Sequence, residues 1–146
     1  MSEIPVDIDR KQAHRKAKRE GVPVLRIEPW GAEIYLFKGV ASYGERFERI
    51  FGHPSSMESY EEYEVGGFFG VDRASPAASV WVLVISEIAP EYPEEFIWHE
   101  ALHATFMILD NYGVAFDVEN HEVFNYTQAQ IVSGVREKLY GLEGFR

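Results

Sequence analysis

The chain has 146 residues, enough for one domain around a single two-layer core and too few for two independent cores. Hydrophobic residues make up 46% and aromatics 14%, which excludes a disordered chain, and the absence of cysteine excludes disulfides, thiolate metal ligands and a cysteine nucleophile. The formal net charge of −10 is unevenly spread: Arg10, Lys11, Arg15, Lys16, Lys18 and Arg19 crowd one short stretch, whereas eight basic residues face twenty acidic ones from Gly21 onward, a balance that argues against nucleic acid as the main partner.

No apolar run approaches the ~20 residues needed to span a bilayer, and the opening MSEIPVDIDR lacks the basic-then-apolar order of a signal peptide, so a cytoplasmic protein is expected. Residues 8–20, IDRKQAHRKAKRE, predict a basic N-terminal arm or helix that stops at Gly21, with Pro23 beyond it; the alternative role for this segment is docking to an acidic protein partner. Residues 1–20 are therefore set apart from a single domain over 21–146.

Two runs of β-formers follow, Val24 to Ile27 and Glu33 to Phe37, and the Glu28-Pro29-Trp30-Gly31 between them marks the turn of a hairpin. Phe47, Ile50 and Phe51 then fall at helical spacing before Gly52 and predict a short helix over 43–51. HPSSMESYEEYEV reads as an acidic loop whose Tyr60 and Tyr63, with nearby Tyr43, are candidates for the border of a cleft. A second strand pair, Gly67 to Val71 and Ser79 to Ile85, is joined by the polar Asp72-Arg73-Ala74-Ser75-Pro76. The nearly continuous apolar SVWVLVIS suits a central strand buried on both faces, and the glycines of the other run suit an edge.

Pro90 and Pro93 bracket a turn, and Glu94-Glu95 open a helix expected to reach Asn111, with Gly113 placed to end it. Its apolar residues, among them Phe96, Ile97, Leu102, Phe106, Met107 and Leu109, read as buried. A last helix is expected from about Glu119 to Tyr140, with Phe124, Gln128, Ile131, Val135 and Leu139 as its mostly apolar stripe.

The chemistry concentrates in His99-Glu100-Ala101-Leu102-His103. Residues four apart on a helix share a face, about 6 Å apart along the axis, so both imidazoles can converge on one ion. Zinc takes neutral imidazole nitrogens in a tetrahedral shell, and a catalytic site leaves one position open. Metal coordination lowers the pKa of water from 15.7 to roughly 7, and a carboxylate beside the open position, here Glu100, then acts as general base. No G-x-S-x-G element supports serine hydrolase chemistry.

A third ligand has three candidates at the start of the last helix: Glu119, His121 and Glu122. Helical phase places His121 along the stripe of Phe124 and Ile131, and Glu122 on the face of Tyr126, Ala129 and Ser133. Asp110 and Asp117 are candidates to accept the other ring N–H of a ligating histidine. Tyr126, one turn after Glu122, is a candidate to orient a ligand or donate to a developing oxyanion.

HEALH, some twenty residues, then a helix opening ENHEVFNY resembles the zincin metallopeptidases of the gluzincin type, and the shorter pattern is similar to small bacteriophage-encoded zincin-like proteins. The resemblance covers roughly Ser79 to Val135. It implies His99, His103 and Glu122 as ligands of Zn2+, Glu100 as base, and a peptide or protein substrate held along the strand that edges the cleft. The fold it implies is α+β: a small, twisted, mainly antiparallel sheet packed on the motif helix, with the following helix bringing the third ligand. The expected setting is a bacterial or phage-infected cell. The alternative is a zinc-stabilised structural or interaction protein, such as a virion component, without peptidase activity.

Overall fold

A computed structural model describes residues 6–57, 66–75, 78–87 and 94–142, with side chains from Arg10 onward in the first helix. Tyr60, Tyr63, most of the acidic loop, Pro76 and the Pro90–Pro93 turn lie outside the described residues. The elements run α1 (Val6–Arg19), β1 (Val24–Ile27), β2 (Ala32–Lys38), α2 (Tyr43–Phe51), β3 (Gly67–Ser75), β4 (Ala78–Ile85), α3 (Glu94–Asn111) and α4 (His121–Tyr140). No helix among the described residues is long and apolar enough to cross a membrane.

The fold is α+β, with one four-stranded sheet in the order β1-β2-β4-β3. The sheet is mixed: β1 pairs antiparallel with β2 and β3 with β4, as two hairpins require, but the hairpins meet through a parallel β2–β4 pairing, Leu36 opposite Leu83. The central strand is the apolar SVWVLVIS run, and its alternate residues serve two cores. Leu83 and Ile85 join Ile34, Leu36 and Phe69 against Ile97, Ala101, Ala104 and Ile108 of α3 and Ile131, Val132 and Val135 of α4. Val82 and Val84 join Tyr35, Phe37 and Phe68 against Ala13 and Ala17 of α1 and Tyr43, Phe47 and Ile50 of α2. Helices therefore cover both faces of the sheet, whereas the sequence reading provided for a helical layer on one.

The basic N-terminal segment takes the helical form. Its two alanines pack inward while Lys11, Arg15, Lys18 and Arg19 stay exposed. Gly21, at φ 71°, closes α1 with Gly21 N–H donating to the Lys18 carbonyl and Val22 N–H to that of Ala17, and Val22 packs into the same core as Ala17. The hairpin turn is held to α4 by Gln130, which accepts from the Glu28 N–H at 2.9 Å and donates to the Glu28 carbonyl at 2.6 Å. Trp30 stacks on Tyr112 at the end of α3, 5.3 Å between rings.

Two expectations are corrected in β3. The strand continues through Asp72 to Ser75, with an irregularity between Arg73 and Ser75, where the polar residues predicted a loop. The reason is Asp72: its carboxylate is fully buried and accepts from the Tyr43 hydroxyl (2.5 Å), the Ser55 hydroxyl (2.5 Å), the Ser56 N–H (2.7 Å) and hydroxyl (2.8 Å), and the Arg73 N–H (2.7 Å). Tyr43 is accordingly not a cleft residue but a buried one, packed edge-on to Phe37 and Phe68. Residues 55–57 thereby lie against the outer side of β3, with Met57 beside Gly70.

Asp72 gives the fold a signed pH dependence. Burial pushes its carboxyl up, but the hydrogen bonds from Ser55, Tyr43 and Ser56 outweigh burial and hold its pKa below the ordinary value. Its contribution is thus fully present above about pH 4 and is lost as pH falls through the folded-state pKa. Asp72→Ala should cost about 3 kcal/mol in urea unfolding at pH 7, because the buried Tyr43 hydroxyl and the part-buried donors of Ser55 and Ser56 lose their acceptor, and the acid-side loss of stability should be shallower in the variant. A second test concerns the start of β3: Gly67 sits at φ 125°, and a Cβ there would lie 2.0 Å from the Val84 carbonyl oxygen. Gly67→Ala should cost at least about 3 kcal/mol by the same measurement, and a near-neutral result would contradict this packing.

Candidate metal centre on helix α3

The Ile97, Ala101, Ala104 and Ile108 stripe that packs on the sheet fixes the rotation of α3. His99 and His103 lie away from that stripe and are exposed, and their Nε2 atoms stand 3.2 Å apart with the rings at 73°. Ligand nitrogens at the ordinary zinc distance of about 2.0 Å in a tetrahedral shell are about 3.3 Å apart. The separation of the pair therefore matches that of two ligands of one zinc ion.

Glu100, between the two histidines in sequence, is buried. It is 6% exposed, against the β3 edge, where its carboxylate accepts the backbone N–H of Phe69. Burial pushes its pKa up, while a protonated His99 and the Phe69 N–H act to lower it, and the net direction is upward. The hydrogen bond ties the motif helix to the edge strand. Sequence reasoning missed the partner, since a backbone N–H carries no residue signature; only the expectation that the glycine-bearing run is an edge pointed near it.

Between this edge and α3 lies a cleft of about 600 Å³, bordered by Gly66, Gly67, Phe69, Phe96, His99, Glu100 and His103 among others. That volume is within the range of ligand pockets. Gly66 leaves room for Phe96, whose ring would lie 2.8 Å from a Cβ at that position. A second concavity, about 480 Å³, is lined by His14, Lys18, Lys138 and the α1–β1 connection and takes in none of the motif residues.

The start of α4 is less convergent. Glu122 is exposed, its carboxylate 3.3 Å from His121 Nε2 and 3.4 Å from the amide of Asn125. His121 is also exposed, with Nδ1 2.6 Å from the Val118 carbonyl, so the inward phase expected for it is not observed. The stripe that packs is Phe124, Thr127, Ile131, Val132 and Val135, with Leu139 against the same core, so of the expected stripe only Gln128 departs, being half-buried. Among the described residues no group of three His, Cys, Asp or Glu side chains is placed to hold a metal.

The supporting candidates also separate. Asp117 accepts from the N–H groups of Glu119 and Asn120, and so shapes the turn before α4. Asp110 is exposed at the end of α3, and Tyr126 is 69% exposed. Leu102, Phe106 and Met107, expected in the core, are 46%, 42% and 39% exposed. The i, i+4 pattern places them with the histidines; the small Ala101 and Ala104 make the core contacts instead. No protein-family model, curated protein or solved structure matches the chain. The resemblance carried by HEALH thus rests on those residues alone.

Proposed function

We propose that this chain is a zinc-dependent hydrolase acting on a peptide or related amide bond, with His99, His103 and Glu122 as metal ligands and Glu100 as general base. The observation that carries the reading is the 3.2 Å approach of the two Nε2 atoms, with the intervening motif carboxylate in the wall of the adjoining cleft. When bound, zinc supplies Lewis acidity: it polarises a carbonyl oxygen and acidifies water.

The chain's own groups do the rest. The Glu100 carboxylate, beside the Phe69 N–H, would take a proton from water and return it to the departing amine. Burial favours the protonated form, which makes the carboxylate a stronger base than an exposed one. An extended segment of substrate would lie along Gly67 to Phe69, where β3 has no strand neighbour on its outer side among the described residues, held by main-chain groups other than the Phe69 N–H that Glu100 takes. Glu122 must give up His121 and Asn125 to serve; both contacts are at the surface, where such pairs contribute little.

Metal content of the purified protein, measured without chelators, tests the assignment. Zinc should accompany the wild type and Glu100→Gln and be lost from His99→Ala, and cleavage of a quenched fluorescent peptide library should fall at least about 100-fold in both variants. Glu122→Gln should weaken zinc binding more than His121→Ala or Glu119→Gln. Metal-free wild-type protein under these conditions would end the proposal. Zinc retention by a wild type that cleaves nothing would favour the alternative, a zinc-stabilised interaction module.

A further inference from the structure

We propose that two copies of this chain associate through the exposed face of α3 and share one zinc ion between their His99–His103 pairs, a closed form that shuts the cleft. The inference rests on the metal-binding half of the reading above and adds the regulation of that site.

The first argument is ligand count. Zinc takes four donors, and a shell closed by four protein groups is its structural form. The histidine pair supplies two, and among the described residues no third His, Cys, Asp or Glu joins them. A symmetric pair of chains brings the same patch to itself, so a pair of imidazoles beside the two-fold axis meets its own copy and completes the four. Both imidazoles are exposed on the outer side of α3 and are open to such a copy.

The second argument is the chemistry of the surrounding face. From Trp98 to Met107 the exposed residues of α3 are Trp98, His99, Leu102, His103, Phe106 and Met107, with no Asp, Glu, Lys or Arg among them. On a chain with a net charge of −10, two copies repel at most approaches. Over this span the face carries no carboxylate, Glu95 and Asp110 lying exposed beyond its two ends, and the contact removes from water apolar side chains that the fold leaves about 40% exposed. Charge thus selects the face, and the unfilled ligand positions select the partner.

Sedimentation velocity during zinc titration of the full chain, with bound zinc counted, decides the matter. The wild type should move from 16.7 kDa toward twice that mass as zinc approaches one ion per two chains, and return on chelation. Leu102→Glu, at an exposed position that leaves the histidines intact, should stay monomeric and bind one zinc per chain; His99→Ala should stay monomeric with its zinc affinity lost. A wild type that remains monomeric while binding one zinc per chain would overturn the shared site and leave the hydrolase reading standing. A dimer indifferent to zinc, to Leu102→Glu and to His99→Ala would likewise overturn it, and absence of zinc binding would overturn both.

Discussion

The second half of strand β4, Val82 to Ile85, has no face to give to water, and the arrangement of the molecule follows from that. Its alternate residues, Leu83 and Ile85 on one side and Val82 and Val84 on the other, are all fully buried. A strand of this kind needs a neighbour on each edge and a helical layer on each face. The neighbours are β2 and β3, and the layers are α1 with α2 and α3 with α4. Because β3 follows α2 in the chain and takes the outer position, the sheet ends at a strand bearing Gly67 and Gly70, and α3 crosses near that end. The cleft is the space the edge and the helix leave between them.

Each side of β3 is then dealt with differently along its length. At its C-terminal half, Asp72 draws Ser55 and Ser56 against the strand and so covers the edge with a connecting segment. At its N-terminal half, the Phe69 N–H is met by a side chain from α3. A buried acid thus satisfies each stretch, Asp72 from the strand outward and Glu100 from the helix inward. Asp72 cannot be replaced by an apolar residue without orphaning the buried Tyr43 hydroxyl.

The fold was legible where periodicity and punctuation agree. The Gly21, Gly52, Gly113 and Gly141 stops stand at the ends of their helices because each adopts a left-handed conformation that side-chain-bearing residues resist. The parallel β2–β4 contact was not legible, since the apolar pattern of a two-faced strand is the same whichever neighbour it takes. Asp72 was misread as loop because polarity in a sequence does not distinguish solvation from a buried hydrogen-bond network. The histidine pair was legible from spacing alone, which fixes helical proximity; the position of Glu122 relative to it depends on how α4 meets α3, and no local pattern encodes that.

The exposed surface of α3 sets a further constraint on any account of the site. Ile97, Ala101, Ala104 and Ile108 already make its packing against the sheet, so the core does not require apolar residues at Leu102, Phe106 and Met107. Lysine or glutamate at these positions would have nearly the same helix propensity as leucine or methionine and would be better solvated. Apart from Phe106, whose ring meets Phe116 and Phe124, their apolar character costs solubility and returns little to the isolated fold. The proposed metal-binding pair, set among such residues, sits in a surface suited to excluding water once something lies over it, and electrostatic effects on a bound carbonyl or a carboxylate base would grow as water is excluded. Covering this face is thus part of the chemistry in either reading: an amide substrate laid across it gains from the low dielectric, and a second copy laid across it removes the space in which that substrate would lie.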